Sequence, residues 1–112
     1  MIKSISKEFI GAFSVHIILS ILQQGDNYGY EIVQIVKENS NNVITWNEAS
    51  IYPVLKKLEN KELIKSYWKL IDNERPRKYY TILSDGVEQL EYNMHEWNTI
   101  KTLFEKLKSS VK

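Results

Sequence analysis

The side chains best suited to binding chemistry are the cations and hydroxyls in the middle of the chain. Residues 50–80 hold six Lys and two Arg against four acidic residues, a net charge of +4, whereas the whole 112-residue chain carries +1. Ammonium, guanidinium and hydroxyl groups bind phosphate oxygens, so this segment can contact a nucleic-acid backbone without a high overall pI. A solvated surface is the alternative interpretation of the same charges.

Patterns for catalysis or metal binding are absent from the sequence. The chain has no cysteine, and its two histidines, His16 and His95, do not have metal-ligand spacing. It also lacks a Gly-rich phosphate loop and a nucleophile elbow. Ser14, His16 and Asp26 are present, but nothing in the sequence aligns them as a triad. We therefore predict that the chain is not an enzyme and uses no metal or cofactor.

Length and composition indicate one folded domain. Hydrophobic residues make up 43% of the chain and aromatic residues 12%, which is enough apolar surface to offset the entropy of folding. The longest apolar stretch, residues 17–22, is far shorter than the roughly 20 residues of a membrane span. The N-terminus does not have the pattern of a secretory signal, so we expect cytoplasmic residence and no membrane partner.

Two helices are predicted before residue 40. Apolar residues from Phe9 to Leu22 recur at three- and four-residue spacing, which predicts a helix that Gly25 ends. Asp26 and Asn27 are expected to start a second helix, over residues 28–39. The polar run that follows is a loop by composition.

A third helix is predicted after this loop. Thr45 and Glu48 have the spacing of a capping box, and Asn47 is the alternative cap. Pro53 lies inside the helix and should strain its first turns. The residues that share its apolar side are Ile51, Leu55, Leu58 and Glu62.

A hairpin and a long helix complete the chain. Residues 66–71 and 78–83 alternate with a period of two, which predicts two strands around a polar turn at 72–76. Ser84 is expected to cap a last helix over about residues 85–108.

This order of elements predicts a mainly α (α+β) winged helix-turn-helix, with an N-terminal helix and one long C-terminal dimerisation helix. Residues 1–84 would be the DNA-binding part, and 85–112 the dimerisation helix of the same single domain. The third helix would enter the major groove while the charged hairpin reaches the backbone. The alternatives are cations that only keep the hairpin soluble, and a winged-helix module that binds protein. The side chains expected to face DNA are Ser50, Tyr52, Lys56, Lys57, Arg75, Arg77 and Lys78.

Three motifs resemble those of the PadR family of transcriptional regulators. They are the second-helix motif Tyr28-Gly29-Tyr30-Glu31, the recognition-helix segment 49–59 (ASIYPVLKKLE) and the hairpin segment 75–80 (RPRKYY). The resemblance covers about residues 8–108, although Glu74 stands where the family usually has Gly. With it, Tyr28 and Asn47 join the predicted DNA-binding residues. It implies a homodimeric repressor that binds a palindromic operator and releases it when a ligand binds.

Within the family, the chain is similar to the short subfamily with one C-terminal helix, and in particular to a multidrug-binding member from lactococci. The last helix fits such a dimer, because two apolar stripes run along it and require two packing partners. Packing within one subunit is the alternative. The first stripe comprises Leu83, Val87, Leu90, Met94, Trp97, Lys101 and Phe104, and the second Ile100, Leu103 and Leu107.

Trp97 is the residue singled out for ligand binding, because indole rings stack on flat molecules at low entropic cost. The resemblance implies that it pairs with its symmetry mate around a planar aromatic effector. Lys101 would disfavour cationic ligands in such a site. Alternatively, Lys101 extends into water, Trp97 is only part of the dimer core, and the repressor has no ligand. The predicted ligand-binding set is Phe9, Ala12, Phe13, His16, Met94, Trp97 and Lys101.

Overall fold

The computed structural model describes residues 5–110, which form four helices and three strands. This is the predicted mainly α winged helix-turn-helix with a long C-terminal helix, so the predicted fold class is confirmed. The elements in chain order are α1 (Lys7–Gln24), β1 (Asn27–Tyr28), α2 (Gly29–Asn39), α3 (Glu48–Asn60), β2 (Ile64–Lys69), β3 (Arg77–Ile82) and α4 (Ser84–Ser110).

Helix α1 has the caps that its sequence supplies. The Ser6 hydroxyl accepts a hydrogen bond of 3.2 Å from the backbone N–H of Phe9, which satisfies one donor of the first turn. At the other end Gly25 has φ 157° and ψ 158°, a conformation open almost only to glycine. The prediction that Gly25 ends the helix is confirmed.

The segment before α2 is a strand rather than a helix start. Asn27 pairs with Tyr80 and Tyr28 with Tyr79, so these two residues form a short antiparallel strand, β1, against β3. The prediction that Asp26 and Asn27 start the second helix is therefore wrong. Backbone pairing with the hairpin takes precedence over local capping here.

Helix α3 begins at the alternative cap. The Asn47 side chain accepts a 2.8 Å hydrogen bond from the N–H of Ser50, so the capping box at Thr45 is not formed. Glu62 does not share the apolar side, because the helix ends at Asn60 and Glu62 is an exposed residue with φ 59°. The residues that do face the core are Ile51, Leu55 and Leu58, each at most 1% exposed.

Strands β2 and β3 pair from Ile64 with Ile82 to Lys69 with Arg77. This hairpin, residues 64–82, is called the wing below. The sheet order is β1-β3-β2, so β3 is central and β1 and β2 are edge strands. The inner face of the sheet packs into the hydrophobic core, to which all four helices contribute. Residues of this core include Ile18, Leu22, Ile32, Leu55, Ile64, Tyr80 and Leu90.

Helix α4 has two different halves. Ser84 is its first residue rather than its cap, and Leu90 is 6% exposed in the core. From Met94 onward every described residue is exposed. With 27 residues α4 is about 40 Å long, and the described chain measures 64 Å along its longest axis. The second half of α4 thus extends beyond the core of its own chain.

Candidate nucleic-acid interface

Arg77, the first residue of β3, is held in place by three contacts. Its guanidinium donates a 2.9 Å hydrogen bond to the Tyr28 hydroxyl and lies 4.7 Å from the centre of that ring. It also pairs with Glu74 at 3.3 Å. The ring limits the positions of the guanidinium, so Arg77 is ordered at the base of the loop before any ligand arrives.

A row of tyrosines covers the outer face of the sheet. Tyr79 lies between Tyr28 and Tyr67, with ring centres 5.2 and 5.9 Å away. The ammonium of Lys69 lies 4.8 Å from the centre of the Tyr79 ring. These rings and cations stiffen the outer face of the wing and keep its positive groups near the surface.

Asp26 connects the wing to the turn after α1. Its carboxylate accepts a 2.7 Å hydrogen bond from the Tyr67 hydroxyl. The hydroxyls of Thr81 and Tyr67 hold the pKa of Asp26 below its ordinary value, and the same bond raises the pKa of Tyr67. Asp26 is therefore ionised at neutral pH and Tyr67 remains a donor, so the link is intact there.

The inner face of the wing contacts α3 through Glu59. This carboxylate accepts a 2.8 Å hydrogen bond from the Ser66 hydroxyl and pairs with Lys78 at 3.8 Å. Beside it, burial raises the pKa of Tyr80 to about 12. One acidic residue of α3 thus fixes both strands of the wing against the helix.

The exposed side of α3 carries the polar groups predicted for it. Tyr52 is 44% exposed and donates a 3.2 Å hydrogen bond to Glu48. Burial and Glu48 both raise the pKa of Tyr52. Its ring packs on Gly29 of α2, where an added Cβ would lie 3.0 Å from the Tyr52 Cζ. The Tyr52 ring is thereby directed along the surface, and Ser50, Lys56 and Lys57 are exposed beside it.

The structure brings some of the predicted DNA-binding residues together and leaves others apart. Tyr28 and Arg77 are in direct contact, whereas Lys78 binds Glu59 and Asn47 acts as the α3 cap. Arg75 is exposed in the loop between the strands. The contributions of Asp26, Tyr67 and Tyr79 were not predicted. The alternation of the strands could have placed both tyrosines on one face, but nothing local indicates their link to Asp26.

The predicted ligand-binding residues divide between two places. Phe9, Phe13 and Trp97 form a row, with ring centres 4.9 Å apart for the first pair and 5.9 Å for the edge-to-face second pair. Trp97 is 43% exposed, so a large part of its side chain has no cover from its own chain. Ala12, Met94 and Lys101 are exposed on the same two helices.

His16 lies in a separate cleft. This space of about 760 Å³ is bounded by α1, the following turn, α2 and the loop after it. Apolar walls come from Ile17, Ile21, Ile35 and Ile44. The Nδ1 atom of His16 is buried and has no hydrogen-bond partner among residues 5–110. Polar side chains, among them Ser20, Gln24, Asn39 and Ser40, line the rest of the cleft.

The fold and this surface define a winged-helix protein, and comparison with known proteins gives its family. Residues 18–92 match the model of the transcriptional regulator PadR-like family. The chain belongs to this family of transcriptional regulators, which agrees with the prediction that it is not an enzyme. Within the described part of the chain, no helix has the length and hydropathy to span a membrane.

Individual relatives agree with this assignment. A transcriptional regulator from Clostridium thermocellum is 32% identical, with a TM-score of 0.81 over 91% of this chain and 96% of its own. An uncharacterised protein of Lysinibacillus sphaericus is 37% identical over 80% of this chain and 82% of its own. The negative transcriptional regulator PadR of Bacillus subtilis is 30% identical over 71% of this chain, but the match spans only 42% of that longer protein.

The Bacillus subtilis relative has also been solved in complex with operator DNA. That structure superposes with a TM-score of 0.64 at 28% identity, over 75% of this chain and 45% of the relative.

Proposed function

We propose that this protein is a homodimeric, DNA-binding transcriptional repressor. The observation that carries the proposal is the set of exposed polar side chains on α3 together with the cations of the adjoining wing, where Arg77 is fixed by Tyr28. Membership of the PadR-like family supports it, as do a relative that is a negative regulator and a solved complex of that relative with operator DNA.

In this proposal α3 lies in the major groove, where Ser50, Tyr52, Lys56 and Lys57 reach base edges and phosphates. The wing contacts the neighbouring backbone through Arg75, Arg77 and Lys78. Asn47 directs its side chain to its own helix, so its part is to fix the N-terminus of α3. Tyr28 acts chiefly by orienting Arg77.

Dimerisation is supported by two apolar surfaces that one chain leaves uncovered. The second half of α4 exposes Phe104 by 60%, and Ile100, Leu103 and Leu107 by 43–49%. The cleft between α1 and α2 has a mixed lining, but its walls of Ile17, Ile21, Ile35 and Ile44 offer apolar surface on which such a stripe would pack. A twofold axis would place the stripe of each protomer on the cleft of the other, with both surfaces buried. The pair would present two copies of α3 to the half-sites of a palindromic operator.

The proposal also includes a small-molecule effector that binds at the dimer interface. The row of Phe9, Phe13 and Trp97 leaves a large part of the indole uncovered at the expected dimer interface, where a second Trp97 would complete a site for a planar aromatic molecule. Lys101, exposed one turn further on, favours neutral or anionic ligands.

Fluorescence anisotropy tests the DNA-binding proposal. The probe is a labelled duplex from the region upstream of this protein's own gene, titrated at several salt concentrations. Lys57→Ala and Arg77→Ala should each weaken binding and lower the salt slope by about one, because each removes one phosphate contact. Unchanged affinity and slope in both variants would show that the DNA-binding surface is wrongly assigned. Such a result would favour a protein-binding module.

The effector proposal has its own test. Planar aromatic anions and cations are titrated into the protein while indole fluorescence is recorded, with Trp97→Phe as the control. Anions should quench the wild-type signal more strongly than cations do, and neither should act on the variant. If neither anions nor cations change the indole fluorescence of the wild type, the protein is a repressor with no ligand at this position.

A further inference from the structure

Trp68 is the largest apolar side chain that the wing leaves in solvent. It is 68% exposed on the edge strand β2, one residue before the end of the paired region. Exposed indole is unfavourable in water, and its burial in a complex contributes more than that of almost any other side chain. None of the contacts described above for the DNA-binding surface uses it.

The register of the hairpin fixes the side of the wing that Trp68 occupies. It pairs directly with Lys78, and it lies two residues after Ser66. Ser66 and Lys78 both bind Glu59 of α3, so they are on the inner face. Because side chains alternate along a strand, Trp68 shares that face. Trp68 therefore lies on the face of the wing that contacts α3, the helix proposed to enter the major groove.

The charge of the wing identifies the kind of molecule that would cover Trp68. Residues 64–82 carry five cations and two acids, a net charge of +3. Of these cations Lys78 shares the face of Trp68 and Arg75 lies in the exposed loop, whereas Lys65, Lys69 and Arg77 alternate to the outer face. An occupant that covers Trp68 and also meets Lys78 and the positive loop combines negative charge with apolar surface. Duplex DNA has both, because phosphates alternate with deoxyribose rings whose faces and edges are apolar. A protein surface would need a matching acidic patch around an apolar pocket.

We propose that Trp68 is a DNA-contacting residue, whose indole packs on deoxyribose or a base edge beside the phosphate reached by Lys78. This inference rests on the proposed function, since it requires that the wing meets DNA. It adds an uncharged, apolar contact to a surface otherwise made of cations and hydroxyls. Such a contact increases affinity without adding to the salt dependence of binding.

Two substitutions test the proposal in the full-length protein. Trp68→Ala should raise the Kd for the upstream duplex about tenfold, while the slope of log Kd against log salt stays that of the wild type. Trp68→Phe should restore affinity to within about threefold, because it keeps an aromatic face. Lys78→Ala is the matched comparison on the same face, and it should lower the slope. The free energy of unfolding should be unchanged in Trp68→Ala, which excludes misfolding as the cause.

A spectroscopic measurement gives a second, independent readout. The protein labelled with 5-fluorotryptophan gives one ¹⁹F signal for each of Trp46, Trp68 and Trp97, assigned by the three Trp→Phe variants. Adding the duplex should shift the Trp68 signal and reduce its sensitivity to exchange of H₂O for D₂O, since the indole leaves solvent.

The failure of this inference is distinguishable from the failure of the proposed function. If the wild type binds the duplex with a salt-dependent Kd but Trp68→Ala binds equally well, only the role of Trp68 is overturned. If Trp68→Ala keeps DNA affinity and instead loses a protein partner, the wing's apolar face is a protein-docking surface. If the wild type shows no salt-dependent DNA binding, the proposed function falls and the inference falls with it.

Discussion

Replacing Tyr28 by Phe removes one hydroxyl and keeps the ring beside Arg77. The hydroxyl accepts a 2.9 Å hydrogen bond from the guanidinium. A hydrogen bond to a charged group is worth about 1.5–3 kcal/mol when buried, but the Arg77 side chain is 41% exposed, so about 0.5–1 kcal/mol applies here. If Arg77 must be held in place to bind DNA, the Kd should rise about two- to fivefold.

Replacing Tyr28 by Ala should cost more, because the ring is lost as well. The cation–π contact at 4.7 Å adds about 0.5–1 kcal/mol at a partly exposed site. The sum of about 1–2 kcal/mol corresponds to a Kd raised about five- to thirtyfold. Tyr92→Phe removes the same atom from a ring that is 59% exposed on α4, and it should bind as the wild type does.

Fluorescence anisotropy with the upstream duplex measures both variants. Neither changes the charge of the protein, so the salt slope should stay close to that of the wild type, in contrast to Arg77→Ala. An unchanged Kd in Tyr28→Ala would refute the reasoning. A loss in Tyr28→Phe as large as that in Arg77→Ala would show instead that the hydroxyl itself contacts DNA.

Three further predictions concern stability and assembly. Gly86→Ala should lower the free energy of unfolding in urea by about 1–3 kcal/mol, because the added Cβ would collide with the carbonyl oxygen of Leu63; an unchanged midpoint would contradict this. Since the folded protein holds the pKa of Asp26 low, stability from this group is present above about pH 4 and is lost as pH falls through the lowered pKa. The free energy of unfolding of Asp26→Asn should therefore fall less steeply with decreasing pH than that of the wild type. Equal slopes in the two proteins would exclude the effect. Phe104→Glu should convert dimers to monomers in sedimentation velocity, since it places a charge in the exposed apolar stripe; a dimer of undiminished affinity would rule out that interface.

The helices and the hairpin were predictable from sequence because each buries one regular face. In α3 the apolar spacing gave the three core positions correctly, yet the choice between Thr45 and Asn47 as cap was open. Both residue types accept hydrogen bonds from a first turn, so local chemistry does not distinguish them. The structure uses Asn47, one turn before the buried Ile51.

Strand β1 could not be predicted, for a different reason. Two residues are too few to show alternation, and Asn27 and Tyr28 are extended only because β3 lies beside them. The extended conformation of these two residues depends on a tertiary contact with β3, so no local segment of the sequence predicts it.

The candidate site was likewise only partly predictable from the sequence. Arg77 and Lys78 were identifiable by charge and position in the hairpin, but the groups that hold them are distant in sequence. Tyr28 is 49 residues from Arg77, and Asp26 is 41 residues from Tyr67. The sequence therefore indicated the cations of the hairpin, while the groups that hold them, including Glu59 beside Lys78, became visible only in the fold. The DNA-binding and ligand-binding roles of the residues remain predictions.

The continuity of α4 has a mechanical consequence. Leu90 is anchored in the core, whereas Leu107 lies 17 residues further along an unbroken helix, about 26 Å away. A tilt of about 5° around Leu90 would displace Leu107 by about 2 Å. Trp97, which contacts Phe13, lies only about 10 Å from Leu90 along the same helix. A small repacking of these aromatic rings would therefore be amplified into a larger displacement at Leu107.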